Sequence, residues 1–326
     1  MEKSVFCSIV LAAGKGTRMN SAKPKVLHEV FFAPMVHHVL DALQPLMLER
    51  TIVVTGHCHA QVESQLKAYT DNFVFQEQQL GTGHAVLSCL SKLNNFNGTV
   101  LIICGDTPLI RTETLRALLE DHQQSDALLT VMSTFVDEPL GYGRIITDQT
   151  GDLVRIVEEK DALLEQKKIK EINAGIYCVD GEFLFDALKE VGTDNQQGEM
   201  YLTDIVAIAR GKGFKVNKYV CADREEVIGV NSRQELALAH GCLQRRFLNE
   251  LMAAGVTILQ PETVTIEKSV CIGPDSVVSP NTYISGNTVI GRNVVIEPFV
   301  KIADSKISDG VRVRSFSFIE NRDVSS

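Results

Sequence analysis

Three cations gather around a glycine-rich turn near the start of the chain. Leu11-Ala12-Ala13-Gly14-Lys15-Gly16-Thr17-Arg18-Met19 is followed by Pro24-Lys25. The turn comes straight after an apolar run, Val5 to Val10, that reads as a buried strand. A strand that opens into such a turn brings backbone N–H groups close to an anion. Gly14 and Gly16 remove side chains where a phosphate has to approach, and Lys15, Arg18 and Lys25 place positive charge beside it. These residues suit a highly charged phosphate ligand. Neither of the two commonest phosphate loops is present. A Walker A motif needs Lys after its last glycine, where Thr17 stands, and the dinucleotide fingerprint needs a third glycine, where Met19 stands.

A second chemical signal lies at Asp106. The apolar stretch 99–104 runs into Gly105-Asp106-Thr107-Pro108. An acid at the carboxyl end of a central parallel strand sits where the ligand crevice forms. Its carboxylate can hold Mg²⁺, which takes a few protein oxygens plus phosphate oxygens. Read alone, Asp106 could equally start a turn, as Pro108 would favour. The phosphate loop tips the reading towards metal. His57-Cys58-His59 has no further ligand pair at a suitable spacing and reads as a strand-to-helix loop. Glu158-Glu159-Lys160-Asp161 could be a solvated charge run; the apolar strand before it, taken with the family resemblance below, favours a site at Glu158.

Alternating strands and helices must position these groups. Strands are expected at residues 5–11, 51–55, 73–75, 99–104 and 127–133, with helices at 35–43, 59–68, 84–90 and 114–121. Such alternation implies parallel strands joined by crossovers, with ligands at the strands' carboxyl ends. Residues 142–147 and 153–158 read as a hairpin grafted on this sheet, and further strands are expected at 174–179 and 215–220. Ser232-Arg233-Gln234-Glu235 is a capping-box sequence. The helix it starts carries Ala239, Leu243, Phe247 and Leu251 on one face and ends near Gly255.

Past that helix the periodicity changes. Ile266, Ile272, Val278, Ile284, Ile290, Ile296 and Ile302 recur every six residues, and after a one-residue deletion the series resumes at Ile307, Val313 and Ile319. Val270, Ser276, Thr282, Thr288, Val294 and Val300 sit at a second fixed offset. This is the mark of a parallel β-helix built from hexapeptide turns, about three coils long here. The fold class expected is therefore α/β: a Rossmann-like domain with a mixed, mainly parallel sheet, followed by a short parallel β-helix; that the first is a nucleotidyltransferase domain and the second left-handed is what the family resemblance below implies. The expected division is the α/β domain at 1–231, a linker helix at 232–255 and the β-helix at 256–326.

The bulk numbers agree with two domains for 326 residues. A net charge of −9 argues against general binding to nucleic acid. No apolar run approaches the length of a membrane span. Lys3 and the apolar run after it imitate a signal peptide, but cleavage there would destroy the cation-rich loop, so the run is read as a core strand. The eight cysteines form no C-x-x-C pair and suit a reducing cytoplasm.

Several strings occur in a telling order: LAAGKGTRM and PKVLH, then EQQLGTGHA, CGDTPLI, GYGRI, IVEEKDA, EINAGIY, GEMYLTDI and GVNSR. Together they resemble the bacterial bifunctional N-acetylglucosamine-1-phosphate uridylyltransferase/glucosamine-1-phosphate N-acetyltransferase family. The resemblance implies uridylyl transfer from UTP to N-acetylglucosamine 1-phosphate, giving UDP-N-acetylglucosamine for cell-envelope precursors and pyrophosphate. It implies that Leu11, Ala12, Ala13 and Gly14 hold the nucleotide and that Gln76 bonds the uracil, with Gly81 and Thr82 beside it. Lys25 and Arg18 would serve phosphate and the departing pyrophosphate. Cys104 and Gly105 would touch substrate, and Asp106 and Asn231 would hold Mg²⁺. Gly143, Glu158 and Asn173 would contact the sugar ring, with Thr203 near its phosphate. A cytoplasmic homotrimer is implied as well.

The tail departs from the family. Its acetyl-transfer residues lie in later coils, and Phe318-Ile319-Glu320-Asn321 replaces an arginine-containing segment. Acetyl transfer is therefore expected to be absent. Two rival readings are a nucleotidyltransferase for another sugar phosphate and a non-catalytic nucleotide-sugar sensor or scaffold. The second would be expected to have lost cations or metal ligands, yet Arg18, Lys25, Asp106 and Asn231 are all present.

Overall fold

The computed structural model describes residues 5–93 and 96–325; Lys3 lies outside them. The chain divides by contact into two units: Met1–Glu29 with Ala33–Glu235, and Val30–Phe32 with Leu236–Ser326.

The first unit is built on a nine-stranded sheet. Its strands are β1 (Phe6–Ala12), β2 (Arg50–Thr55), β3 (Phe73–Phe75), β4 (Thr99–Cys104), β5 (Leu129–Phe135), β6 (Arg144–Thr147), β7 (Leu153–Val157), β8 (Glu171–Asp180) and β9 (Val216–Val220). The main path runs β9-β5-β8-β4-β1-β2-β3, with the β6–β7 hairpin branching from β8. β1 pairs in parallel with both β2 and β4, so its carboxyl end opens between two strands that end level with it. β8 alone on the main path runs against its neighbours. The sheet is mixed and mainly parallel, as the alternating pattern requires.

Burial explains the strand compositions. Ile9, Val10, Ile52, Val53, Val54 and residues 100–103 are wholly buried, which is why these strands read as continuous apolar runs. Helix α1 (Met35–Leu43) matches the expected span. Helix α2 (His59–Leu66) and helix α3 (Thr82–Leu87) differ from expectation by about one turn or less at their ends. Gly81, at the N-cap of α3, has φ +111, and a Cβ there would lie 2.5 Å from the Met200 carbonyl oxygen. That backbone shape begins the helix two residues ahead of the expected start. Helix α4 (Thr112–Ser125) is longer at both ends than its apolar stripe. Helices α5 (Gly181–Glu190) and α6 (Asp204–Gly211) were not foreseen, although Asp180 caps α5 by accepting from Phe183 N.

In the second unit, the later turns of helix α7 (Arg233–Ala253) bury Leu248 and Leu251 with the aliphatic interior of a parallel β-helix. Three four-stranded parallel sheets form its faces. Ile266, Ile284, Ile302 and Ile319 stack in register on one face, and Ile258, Val278, Ile296 and Val313 on another. The third face stacks Ile272, Ile290, Ile307 and Val324. Each face is thus four strands deep; the six-residue series held all four on the Ile266 face and three on each of the others, missing Ile258 and Val324. A short turn at Pro261–Thr263 separates Ile258 from Ile266 by eight residues and hides the first strand from the period. The polar members of the second series, Ser276, Thr282 and Thr288, are buried and donate to carbonyls of Gly291, Ser279 and Ser285.

Candidate functional site

The loop after β1 folds back on the cation that follows it. Gly16 has φ +61, and a Cβ there would strike the Lys25 side chain at 2.5 Å, so glycine lets Lys25 cross beneath the turn. A short helical turn at Thr17–Met19 carries Arg18, and another at Lys25–Leu27 carries Lys25. Asp106 follows β4, whose neighbour Gly105 donates its N–H to the Leu11 carbonyl at 2.9 Å. Asn231 arrives from far along the chain because Val230 N donates to the Asp106 carbonyl at 2.8 Å.

These groups meet at one point. The Lys25 ammonium pairs with the Asp106 carboxylate and donates to Asn231 Oδ1 at 2.7 Å. Arg18 Nη2 donates to the same oxygen at 2.8 Å. Asn231 is fixed in turn, its Nδ2 donating to the Gly229 carbonyl and its backbone N–H to Glu235 Oε2. Ser232 and Glu235 complete the reciprocal cap at the start of α7. The cluster opens on a cavity of about 500 Å³ lined by Leu11, Ala12, Ala13, Gly14, Lys25, Gln76, Gly81, Thr82, Cys104 and Asp106. Gln76 is 3% exposed and donates to the Gly81 carbonyl at 3.1 Å.

Gly143, Glu158, Asn173 and Thr203 form a second group. Asn173 N donates to the Gly143 carbonyl at 2.9 Å, and Thr203 Oγ1 donates to Glu158 Oε1 at 3.1 Å. A Cβ at Gly143 would lie 3.5 Å from Glu158 Oε2 and 2.9 Å from Ile156. Asn173 Nδ2 donates to the Tyr177 hydroxyl at 2.7 Å. The two groups adjoin where Cys104, on the cavity wall, meets the Gly175 carbonyl at 3.9 Å. Burial raises the Glu158 carboxyl above its ordinary value; the Thr203 hydrogen bond opposes this, and Asp204, Asp161 and Glu199 add to it.

Four further residues shape the site and escaped the sequence reading. Gln79 Nε2 donates to the Ala13 carbonyl at 2.7 Å and so braces the turn. Arg233 Nε donates to the Met19 carbonyl, and its Nη1 meets His28 Nδ1, each at 3.3 Å, joining the segments of Arg18, Lys25 and Asn231. Glu199 lines the cavity. Tyr142 stands between the two groups: burial pushes its phenol up to about 12, aided by Glu235 and Asp106, against a backbone hydrogen bond at Gly229 and the charge of Arg18. All four stand in the quoted strings, Gln79 in EQQLGTGHA, Tyr142 in GYGRI, Glu199 in GEMYLTDI and Arg233 in GVNSR, but no residue type or spacing singled them out. His57-Cys58-His59 forms the entry to α2, and no group of three or more metal-binding side chains occurs among the described residues.

Residues 8–169 match the MobA-like NTP transferase domain family. The curated bifunctional protein GlmU of Syntrophotalea carbinolica is 43% identical over 325 residues, covering 99% of this chain and 70% of its own. That of Heliobacterium modesticaldum is 45% identical over 315 residues, covering 97% and 69%. The chain belongs to the GlmU family. A GlmU protein of Desulfotalea psychrophila, 42% identical, covers 95% of this chain and has 92% of its own length matched. The fold is also that of a Bacillus anthracis protein provisionally named a glucose-1-phosphate thymidylyltransferase and solved with sucrose. It superposes with a TM-score of 0.59 at 21% identity, over 73% of this chain and 95% of that one. As a GlmU-family member with an NTP transferase domain, the chain is a nucleotidyltransferase acting on nucleotide and sugar phosphate.

Proposed function

We propose that the first unit transfers a uridylyl group from UTP to N-acetylglucosamine 1-phosphate, giving UDP-N-acetylglucosamine and pyrophosphate. The observation that carries this reading is the meeting of Lys25, Arg18, Asp106 and Asn231 at one point, with Lys25 and Asp106 on the wall of the cavity. A phosphate oxygen of the sugar phosphate attacks the α-phosphorus of UTP in line. The bond from that phosphorus to the β-phosphate bridging oxygen breaks, and pyrophosphate leaves with the electron pair. The attacking phosphate is already ionised, so no protein base or nucleophile is needed. The difficulty is the approach of two anions, and positioned positive charge meets it.

Each residue has a task in this scheme. The turn Leu11–Gly14 cradles the phosphates with backbone N–H groups, and Gln76, Gly81 and Thr82 receive the uracil. Lys25 and Arg18 neutralise the triphosphate and the departing pyrophosphate. Gly143, Glu158 and Asn173 hold the sugar ring, Thr203 lies near its phosphate, and Cys104 and Gly105 form the wall between. The Asp106 carboxylate and Asn231 carboxamide oxygen already share one cation, the Lys25 ammonium. Two hard oxygens of this kind fit Mg²⁺, which keeps several waters and takes phosphate oxygens. When bound there, Mg²⁺ would supply further charge to the phosphates; Asp106 and Asn231 would be its holders.

Exposed Phe299, Phe316 and Phe318 on the β-helix support a homotrimer, which a monomeric mass by light scattering would exclude. The eight free cysteines support a reducing, cytoplasmic setting. No helix among the described residues is long and apolar enough to cross a membrane. Acetyl transfer is not expected, since Glu320 puts an acid in a segment where the resemblance calls for arginine. The deciding experiment is pyrophosphate release from UTP plus N-acetylglucosamine 1-phosphate, with and without Mg²⁺ and with glucosamine 1-phosphate in parallel. Release that needs both substrates and the metal supports the reading; no release refutes it.

A further inference from the structure

Among the described residues, the largest buried side chain is a charged one, Arg144, and the proposed chemistry does not use it. Its Nη2 donates to Glu159 Oε2 at 2.6 Å, in an ion pair whose side chains are 2% and 19% exposed. Nη1 donates to the Tyr142 carbonyl, and Nη2 also faces the Lys167 carbonyl at 3.5 Å. Glu159 Oε2 accepts from Gly141 N at 3.3 Å, and its other oxygen lies 3.5 Å from Lys167 Nζ. Through the backbone, Arg144 pairs with Ile172 of β8 and with Val157 of β7.

The placement of this knot is specific. Gly143 precedes Arg144, Glu158 precedes Glu159, and Asn173 follows Ile172. Every residue assigned to the sugar ring is therefore the chain neighbour of a member of the knot. The loop at 139–142 is tied to it at Gly141 N and at the Tyr142 carbonyl. Burying two charges costs desolvation that their attraction only roughly repays, so an apolar pair would serve stability as well. What the ionic pair adds is direction: a planar guanidinium offers donors at fixed angles and so fixes three backbone segments relative to one another.

We propose that the Arg144–Glu159 pair is a positioning device for the sugar half of the site, setting affinity for an N-acetylhexosamine 1-phosphate separately from UTP. This rests on the reading of Gly143, Glu158 and Asn173 as sugar contacts. Neither Arg144 nor Glu159 touches the sugar; both act through those three residues.

The test compares wild type with Glu159→Gln, Glu159→Ala and Arg144→Lys, following pyrophosphate release while each substrate is varied. Removing a partner that orients binding residues from behind costs about 10- to 100-fold in affinity or activity. The KM for N-acetylglucosamine 1-phosphate should rise by about that factor in Glu159→Ala and less in Glu159→Gln, which keeps an accepting oxygen. The KM for UTP should stay within about twofold, because neither Arg144 nor Glu159 lines the nucleotide cavity. A sugar-phosphate KM unchanged in both Glu159→Gln and Arg144→Lys overturns the proposal, as does an equal rise for both substrates. Thermal melting accompanies each variant, and the two conservative substitutions decide the matter if Glu159→Ala does not fold. If wild type itself rejects N-acetylglucosamine 1-phosphate but uses another hexose 1-phosphate, the substrate reading fails. The same comparison, run with that sugar, still judges the knot.

Discussion

Lys25→Ala separates two roles that meet on one ammonium. In the folded chain Lys25 is 11% exposed, pairs with Asp106 (19% exposed) and donates to Asn231. Two unit charges about 4 Å apart at an effective dielectric near 20 attract by about 4 kcal/mol. The same ammonium is proposed to meet the triphosphate at similar range, so an interaction of that size is withdrawn from the transition state. About 3–4 kcal/mol corresponds to a loss of roughly 10²–10³ in kcat. The effect on metal should have the opposite sense. Lys25 occupies the two oxygens proposed for Mg²⁺, so its removal takes away a competitor. The Mg²⁺ concentration for half-maximal rate should hold steady or fall while kcat drops. Steady-state pyrophosphate release at saturating UTP and sugar phosphate, titrated with Mg²⁺, reads both quantities. A kcat within tenfold of wild type, or a metal requirement that rises as the rate falls, refutes the reasoning.

Three other outcomes are expected. Asp106→Ala and Asn231→Ala should each raise the Mg²⁺ requirement by about tenfold or more; an unchanged titration in both would show that the metal sits elsewhere. Burial, joined by Asp204, Asp161 and Glu199 and opposed by Thr203, holds the Glu158 carboxyl above its unfolded value of 4.5. Its proton is favoured in the fold, so this contribution is full below the unfolded value and is lost as pH rises through the native one. Glu158→Gln removes that titration, and its melting temperature should therefore gain on wild type as pH rises above 4.5; parallel curves would contradict this. Ile302, wholly buried in the β-helix, should cost about 2–5 kcal/mol when cut to Ala, read from the denaturation of the second unit. Lys301→Ala beside it, at an exposed position, should cost far less.

The elements were legible wherever one periodicity governed a whole segment. β3 and β4 match the expected spans 73–75 and 99–104, and α1 matches 35–43. The hexapeptide series marked the β-helix because each coil repeats the same corner. Partners were less legible than elements. Nothing in residues 171–180 announces that β8 runs antiparallel between β4 and β5, since apolar runs show burial but not direction. The cations and Asp106 could be read from a local string, whereas Asn231 and the sugar contacts rested on resemblance. Arg144 and Glu159 lie fifteen residues apart and meet only once the β6–β7 hairpin is closed. Their pairing obeys no short-range spacing.

The second unit is threaded as well as appended. Val30–Phe32 belong to it by contact, although two hundred residues of other structure intervene before Leu236. Phe31 donates its N–H to His240 Nδ1 at 3.2 Å and packs 6.0 Å from Phe247, while Phe32 meets Tyr283 at 6.1 Å. A protease nick or stop codon near residue 235 would therefore not release a finished catalytic half. A chain cut short there would leave two phenylalanines, only a few residues past Lys25 in sequence, without the aromatic partners that cover them.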